Sequence, residues 1–249
     1  MRSVPSTLSA GVRCERDGPL LRVVGYFCGF VIGPRDIGLS GADLDRLIVR
    51  QRDYFAERGE PVEWKTRGHD TPADLTDRLR AAGFSPGETQ TVLIGRAADT
   101  ATEPVLPDGV ALRRVAEDAD IRRIATMEST VWGMDWRQLH GFLTGQIAAA
   151  PGNIAVLAAE ADGQVVSAAW LVMSPGSGFA GLRGGTTLPA WRGRGIYRAL
   201  VAARAQLAVA RGVEYLHVDA SQDSASALQR LGFRAATTTT PHVWTPPGL

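Results

Sequence analysis

The chain has 249 residues, of which 45% are hydrophobic, and this allows one large soluble domain or two small ones. Its 27 Lys and Arg nearly balance its 26 Asp and Glu, and the net charge of +1 argues against nucleic acid or a membrane surface as the partner. No run is apolar enough for a signal peptide or a membrane span, which predicts a cytoplasmic protein. Cys14 and Cys28 lack metal-type spacing, so we expect free buried thiols rather than a disulfide, and no metal site.

The first part of the chain mixes short apolar runs with amphipathic segments. Residues 1–18 are polar and predict no regular element. The predicted strands cover 20–32 (as one or two strands), 62–67 and 91–94. The predicted helices cover 42–58, between the N-cap Ser40 and Gly59, and a segment from Thr71-Pro72 to Gly83-Phe84. Residues 97–108 are rich in Ala, Thr and Pro without periodicity, so we expect a linker there.

The pattern restarts after residue 108. The predicted strands cover 110–115, 154–160, 165–173, 179–187, 213–220 and 237–244. The predicted helices cover 119–131, 137–150, 196–211 and 224–231. Because Asp162-Gly163 is a turn signal, the strands on either side of it should form an antiparallel hairpin.

Two segments of the chain follow the same pattern. Residues 56–64, Ala-Glu-Arg-Gly-Glu-Pro-Val-Glu-Trp, parallel residues 208–215, Ala-Val-Ala-Arg-Gly-Val-Glu-Tyr. Each segment closes a long helix and opens a strand, and a short helix ending in Gly-Phe follows, at Gly83-Phe84 and at Gly232-Phe233. The pattern favours an internal duplication, and convergent helix–strand–helix patterning is the alternative.

Residues 185–198 read Gly-Thr-Thr-Leu-Pro-Ala-Trp-Arg-Gly-Arg-Gly-Ile-Tyr-Arg and predict an anion site. Gly193 and Gly195 allow a tight turn just before a helix. The first amides of that helix have no partner in the helix, and together with the helix dipole they favour a phosphate group. Arg192 and Arg194 add positive charge.

The helix after this turn is amphipathic. Its apolar face comprises Ile196, Leu200, Ala203, Leu207 and Ala210. Arg198, Arg204 and Arg211 lie off that face.

Two other kinds of phosphate site fit the turn poorly. A P-loop requires a lysine after its glycines, and the only lysine of the chain is Lys65. A dinucleotide fold requires a third glycine where Arg198 stands. Asp219 lies at a suitable distance for its acidic residue, but the 30 residues after Asp219 are too few for the second half of a doubly wound sheet.

Residues 187–200 resemble the acyl-CoA-binding motif of the GNAT acetyltransferases, whose core is Arg/Gln-x-x-Gly-x-Gly/Ala. Arg192 and Gly195 match this core, whereas Tyr197 stands where a small residue is usual. Residues 224–233, Ser-Ala-Ser-Ala-Leu-Gln-Arg-Leu-Gly-Phe, resemble the second motif of the family, a helix that ends in Leu-Gly-Phe. The resemblance implies an α/β (α+β) fold, with a mixed, mostly antiparallel sheet flanked by helices and here duplicated.

The resemblance also implies a division of the chain. Residues 109–249 would be an acyl-CoA-binding GNAT domain, and residues 1–96 a degenerate GNAT-like half joined to it by the linker 97–108. The loop at 33–40 is the N-terminal equivalent of the turn, and it lacks the Arg-Gly-x-Gly run. We therefore expect no acyl-CoA in the N-terminal half.

The activity implied by the resemblance is that of a bacterial N-acetyltransferase. It would transfer an acetyl group from acetyl-CoA, its co-substrate, to an amine of a small molecule or peptide by direct attack, as a monomer or homodimer. The residues implied to hold acetyl-CoA are Gly185, Thr186, Thr187, Arg192, Gly193, Arg194, Gly195, Ile196, Tyr197, Arg198 and Ser221. The alternative is a catalytically weak acyl-CoA sensor or scaffold.

The catalytic acid and base are less well specified. Many family members carry a tyrosine where this chain has Leu228, an asparagine where it has Ser221, and an acidic residue where it has Leu216. The candidate catalytic residues are therefore Asp219, which would share a strand face with His217, and Glu128.

Each candidate also has a structural alternative. Asp219 could instead cap the following turn, His217 could be a core histidine, and Glu128 could be solvated or cap a helix. Trp132, Trp136 and Trp170 line an acceptor pocket in one interpretation and fill the core in the other.

Overall fold

The computed structural model describes residues 9–133 and 135–248, and this part of the chain contains seven α-helices and twelve strands. The strands are β1 (Arg13–Asp17), β2 (Leu20–Val24), β3 (Gly29–Ile32), β4 (Val62–Arg67), β5 (Ser85–Pro86), β6 (Gln90–Arg96), β7 (Ala111–Val115), β8 (Ile154–Ala161), β9 (Gln164–Ser174), β10 (Phe179–Thr187), β11 (Tyr215–Ala220) and β12 (Arg234–Trp244). The helices are α1 (Gly41–Glu57), α2 (Leu75–Ala81), α3 (Ala97–Thr100), α4 (Asp118–Trp132), α5 (Arg137–Ala149), α6 (Ile196–Val209) and α7 (Gln222–Arg230).

All of these strands belong to one sheet with the order β1-β2-β3-β4-β12-β6-β11-β10-β9-β8-β7, and β5 pairs with β12 outside this path. Two neighbouring pairs are parallel, β3 with β4 and β10 with β11, and the other pairs are antiparallel. The expected fold class, a mixed and mostly antiparallel sheet flanked by helices, is thereby confirmed.

The order of the elements repeats, as the two parallel segments of the sequence predict. In each copy a helix connects two parallel strands, and a short helix then leads to a final strand: β3-α1-β4-α2-β6 and β10-α6-β11-α7-β12. The two copies exchange their final strands, because β6 pairs with β11 of the second copy and β12 pairs with β4 of the first. The exchanged strands β6 and β12 lie side by side and antiparallel in the middle of the sheet.

The helices cover the two faces of the sheet unequally. Leu157 and Leu171 point towards α6, whereas Val156 and Ala168 pack against α4 and α5, as the alternation of strand side chains requires. The register across β11, β6, β12 and β4 then places α1, α2, α6 and α7 on one face, here called the back face. Of the helices in the described residues, only α4 and α5 lie on the opposite face, here called the front face.

Three local expectations need correction. Arg13–Asp17 form the edge strand β1, where residues 1–18 predict no regular element, because they pair in register with β2. Residues 1–8 of that segment lie outside the described part of the chain, as does Met134. Ala97–Thr100, at the start of the expected linker, form helix α3, in which Ala97 is buried in the core beside α6. Arg204, which lies off the apolar stripe of its helix, is only 1% exposed.

Two further expectations concern the thiols and the membrane. Cys14 and Cys28 are both free, as expected, but each is half-buried and not buried. Within the part of the chain that the structure describes, no helix combines the length and the apolar character needed to cross a bilayer.

Candidate functional site

The turn between β10 and α6 is an open cradle at a helix start. Gly193 and Gly195 have φ values of 74° and 86°, a left-handed conformation that favours glycine. A Cβ on Gly193 would meet nothing within 4 Å, and one on Gly195 would come no nearer than 3.8 Å to the Arg198 guanidinium. Gly195 is the N-cap and has no side chain with which to cap, so the first amides of α6 are left for a ligand.

Positive charge surrounds this cradle. Arg192, Arg194 and Arg198 are exposed, and none of them has a carboxylate partner within the described residues. The Nε of Arg192 donates to the carbonyl of Thr187 at 3.1 Å, and the Arg194 guanidinium lies 4.8 Å from the centre of the Trp191 ring. Three unpaired guanidinium groups at a helix N-terminus are suited to a pyrophosphate.

The strand that leads into the cradle separates from its parallel neighbour. Of the nine residues of β10, only three pair with β11, and the pairing ends at Gly181 opposite His217. From Leu182 onwards the edge of β10 that faces β11 is unpaired in this register, which leaves backbone groups in a gap that points towards the cradle.

A β-bulge lies in the separated part of β10, between Gly184 and Thr186. A Cβ on Gly184 would lie 2.5 Å from the Trp170 ring, and one on Gly185 would lie 2.8 Å from the Tyr197 ring. The two glycines therefore allow aromatic rings to pack on both faces of the bulge. The Tyr197 ring packs against this strand and is half-buried, so it does not turn away into solvent.

Arg204 supports the same bulge from the back face. Its Nε donates to the Leu200 carbonyl at 2.9 Å, and its Nη1 donates to the carbonyls of Arg183 at 3.2 Å and Trp170 at 3.4 Å. Burial lowers the pKa of Arg204 to about 10. A buried guanidinium that bonds to backbone carbonyls at a bulge fixes the shape of that bulge.

Four further residues of the predicted acetyl-CoA set have structural contacts: Thr186, Thr187, Ile196 and Ser221. Ser167 donates to the carbonyl of Thr186 at 2.7 Å and lies 2.8 Å from the Thr187 hydroxyl, so it links β9 to the end of β10. Ile196 is buried in the core beneath the cradle. Ser221 is the N-cap of α7 and accepts a hydrogen bond from the amide of Ser224.

Glu128 lies on the front face, on α4, and is only 4% exposed. Its Oε2 accepts a hydrogen bond from the indole of Trp132 at 2.8 Å, and its Oε1 has no hydrogen-bond partner among the described residues. Burial raises the pKa of Glu128, and the nearby hydroxyl of Thr186 and the indole of Trp132 offset the rise only in part. A buried carboxyl of raised pKa near the bulge can accept a proton.

A second unpaired polar atom belongs to Trp136, whose backbone amide donates to the hydroxyl of Ser129, the residue after Glu128, at 2.9 Å. Trp136, at the start of α5, is half-buried, and its indole Nε1 has no partner among the described residues. The Glu128 carboxyl and the Trp136 indole thus each retain capacity for a hydrogen bond to a polar ligand.

Asp219 lies elsewhere on the front face, in a charged cluster that β4, β10 and β11 form together. The members of this front-face charged cluster are Glu63, Lys65, Arg67, Arg183 and Asp219. Asp219 accepts a hydrogen bond from Lys65 at 3.1 Å and lies 3.7 Å from Arg183. Because the contact between Lys65 and Asp219 crosses two intervening strands, the front face must be concave here.

The electrostatics of the cluster distinguish Asp219 from Glu128. Burial alone would raise the pKa of Asp219, but Lys65, Arg183 and Arg67 together bring it below its usual range. His217, next to Gly181 in the register, has a pKa lowered to about 4 by burial and by Arg183, so its ring is neutral at pH 7. A carboxylate of low pKa in an ion pair is a weak base, and Asp219 is therefore less suited than Glu128 to accept a proton.

Sequence reasoning missed Lys65, Arg67, Arg183 and Arg204. The first two belong to the N-terminal copy and reach the site only through the exchange of strands, which no local pattern reports. Leu228, at the place of the tyrosine found in many family members, is fully buried in the core and offers no acid.

The comparisons with known proteins agree with this architecture. Residues 120–233 match the model of the Acetyltransferase (GNAT) family. Among curated proteins there is no match to the chain in sequence.

Several solved structures are similar over nearly the whole chain. A GCN5-related N-acetyltransferase from Kribbella flavida is 18% identical and has a TM-score of 0.69, covering 96% of this chain and 91% of that one. A tandem GNAT protein from the clavulanic acid biosynthesis pathway is 13% identical and has a TM-score of 0.65, covering 95% and 84%. A GCN5-related N-acetyltransferase from Sphaerobacter thermophilus is 20% identical and has a TM-score of 0.65, covering 93% and 78%. At these identities the likeness shows a shared fold.

Proposed function

We propose that the protein transfers an acetyl group from acetyl-CoA to an amine of a small molecule or peptide, because residues 120–233 match the model of the Acetyltransferase (GNAT) family. The observation that carries the proposal is the alignment of the gap beside β10 with the cradle at the start of α6. One long ligand with a pyrophosphate at the cradle and a thioester beside the bulge would occupy both.

Different residues around the cradle would bind the pyrophosphate and the pantetheine arm of acetyl-CoA. The amides of Ile196, Tyr197 and Arg198 begin the helix and would donate to the pyrophosphate, with Arg192 and Arg194 beside them. The backbone at Gly185, Thr186 and Thr187 would bind the pantetheine arm and donate towards the thioester carbonyl, where negative charge develops during the reaction.

The reaction joins the amine nitrogen to the acyl carbon and breaks the carbon–sulfur bond. In this proposal Glu128 accepts the proton that the amine loses, and the coenzyme leaves as a thiolate that takes a proton from solvent. A thiol with a pKa near that of cysteine, about 8.5, is an adequate leaving group without a dedicated acid, so the apolar Leu228 is compatible with turnover. Binding both reactants side by side supplies much of the rate.

Turnover is the direct test of this proposal. The purified protein is incubated with acetyl-CoA and a panel of primary amines, and the release of free CoA thiol is followed together with the mass of the product. We expect thiol release that depends on the amine and a product heavier by one acetyl group. Acetyl-CoA binding without turnover on any amine would instead support the sensor or scaffold alternative.

A specific observation favours that alternative. Tyr197 replaces the usual small residue, and its ring lies against Gly185, in the space between α6 and the bulge where the pantetheine arm would pass. Together with the absence of an acid at Leu228, this would suit a protein that binds the coenzyme and turns it over slowly.

Glu128→Gln is expected to lower kcat by about 100-fold, the usual scale for loss of a general base, while the Kd for acetyl-CoA stays unchanged. The amide keeps the size of the side chain and can still accept from the Trp132 indole, so the fold should persist. Because burial raises the pKa of Glu128, its carboxyl stays protonated to a higher pH than an ordinary glutamate. The rate of the unmodified protein should therefore rise with pH through that raised pKa, and the variant should lose this rise.

The matched control is Glu117→Gln at the exposed N-cap of the same helix, which should keep both the rate and the pH profile. Glu128→Asp should retain part of the rise of the rate with pH that Glu128→Gln loses. Equal rates and equal pH profiles for Glu128→Gln and Glu117→Gln would rule out Glu128 as the base.

The proposal includes the division of the chain into a degenerate half at 1–96, a linker at 97–108 and an acyl-CoA-binding half at 109–249. The linker lies beside the cradle, because the carbonyl of Val105 is the second atom that a Cβ on Gly195 would approach, at 4.0 Å. A cytoplasmic location and a monomeric or homodimeric state stay predictions.

A further inference from the structure

The front-face charged cluster contains three cations, Lys65, Arg67 and Arg183, and only two carboxylates, Glu63 and Asp219. We propose that its guanidinium groups bind a carboxylate of the acceptor, so that the acceptor is an amino acid or another amine that carries a carboxylate. This inference rests on the proposed acetyl transfer and extends it to the class of the acceptor.

Arg67 carries the argument. Its guanidinium is half-buried, and its bonds are to the Thr66 carbonyl at 3.5 Å and to the Thr239 hydroxyl. Among the described residues no carboxylate lies within ion-pair distance of it. Asp219 and Glu63 act on Arg67 only from beyond ion-pair distance. Because removing a charge from water is costly, a half-buried guanidinium without a directly bonded carboxylate favours an anionic ligand.

The other cations leave room for such a ligand. Lys65 is held by Asp219 at 3.1 Å, whereas Arg183 reaches Asp219 only at 3.7 Å and is 41% exposed. Burial lowers the pKa of Arg67, Asp219 offsets part of this lowering, and the guanidinium of Arg183 is near enough to lower the pKa further. Two guanidinium groups that repel each other across a concave surface are both stabilised by an anion between them.

The balance of charge favours a carboxylate over a phosphate. Burial raises the pKa of Glu63 and so favours its neutral form, and Asp219 stays ionised. The excess is therefore about one to two positive charges, and the ionised Asp219 would repel a phosphate dianion more strongly than a carboxylate. The planar guanidinium also matches a carboxylate with two parallel hydrogen bonds.

The cluster lies on the same face of the sheet as the proposed base and reaches the start of the bulge through Arg183. Arg183 directly precedes Gly184, where the bulge begins, and it pairs in register with Trp170, whose ring packs on the bulge. Glu128 lies on the same face. An acceptor held by its carboxylate at Arg67 and Arg183 would thus present its amine on the side of the sheet where the proposed base is found.

The test uses amines in matched pairs that differ only in charge: glycine, L-phenylalanine and 4-aminobutyrate, each against its carboxamide. Thiol release from acetyl-CoA gives KM and kcat for each amine with the full-length protein, Arg67→Gln, Arg183→Gln and the control Arg46→Gln, an exposed arginine on α1. We expect the unmodified protein and the control to show a KM at least about 10-fold lower for the carboxylate member of a pair. Either cluster variant should raise that KM about 10-fold and leave kcat and the KM of the carboxamide unchanged.

Turnover of the carboxamides at equal or lower KM, or of phosphoethanolamine in preference to every carboxylate, would overturn the inference and leave acetyl transfer intact. A calorimetric titration with N-acetyl-L-phenylalanine, a carboxylate that cannot be acetylated, separates the two proposals if no amine is turned over. Binding that weakens at least about 10-fold in Arg67→Gln and Arg183→Gln but persists in Arg46→Gln would support the carboxylate site. Equal binding by all four proteins, or none by the unmodified protein, would refute it.

Discussion

Replacing Gly195 by aspartate is expected to weaken acetyl-CoA binding by at least about 30-fold, measured by calorimetric titration of the purified protein. The carboxylate would stand at the N-cap of α6, where the first helical amides and Arg192, Arg194 and Arg198 favour a phosphate group. Losing one or two charge-assisted hydrogen bonds to the pyrophosphate costs about 2 to 3 kcal/mol, and charge repulsion adds to it.

Gly195→Asn is the matched control, because it adds a side chain of the same shape without the charge. Both variants place a residue at φ 86°, a region that Asn and Asp tolerate better than most residues, and a Cβ there has space. The two thermal midpoints should therefore be similar. If both variants bind acetyl-CoA as tightly as the unmodified protein does, the cradle holds no pyrophosphate. If both variants bind acetyl-CoA equally weakly, the affinity depends on free space at Gly195 and not on the charge of the new side chain.

Residues 109–249 expressed alone are expected to be insoluble or unfolded. Without the N-terminal part, β11 and β12 would each lose their common neighbour β6, and β12 would also lose β4. The core around α6 and α7 would lose the fully buried Leu93 and Ala97. Two unpaired central strand edges and an opened core cannot be tolerated by a domain whose stability is of the order of 10 kcal/mol.

The control for this truncation is co-expression with residues 1–108 as a separate chain. The pair should be soluble and should bind acetyl-CoA, because the exchange of strands does not depend on the covalent link at 97–108. A soluble 109–249 fragment with the acetyl-CoA affinity of the whole chain would contradict this dependence of one copy on the other.

Local patterns were sufficient to predict most elements of the C-terminal part. Residues 179–187 coincide with β10, and the amphipathic helix after Gly195 begins at Ile196 as its periodicity requires. The turn between them was recognised because glycine and proline report backbone conformation directly. In the N-terminal part the strand predicted over 62–67 is β4.

The exchange of final strands could not be predicted in the same way. In both β6 and β12 the side chains alternate between the two faces as in any strand. Either strand could therefore satisfy the backbone hydrogen bonds of β4 or of β11. For the same reason the contact between Lys65 and Asp219, 154 positions apart, has no local signal.

The burial of Arg204 was not predicted, and the reason is a different one. Helical periodicity places it off the apolar stripe, but α6 is covered by α3 as well as by the sheet, so the helix is buried on more than one side. A long side chain with five donors then reaches the bulge carbonyls, which no periodicity argument anticipates.

The helices of the two copies correspond less closely than their strands do. Both copies provide two parallel strands, two back-face helices and an exchanged strand, yet only the second copy provides helices for the front face, because no helix precedes β3 in residues 9–28. The front face of the first copy therefore has no covering layer of its own, and the Tyr26 ring instead lies 5.4 Å from the ring of Phe142 on α5. Because Lys65 and Arg67 belong to the first copy and the cradle belongs to the second, substitutions in the first copy can change the front-face charged cluster while the sequence of the cradle stays the same.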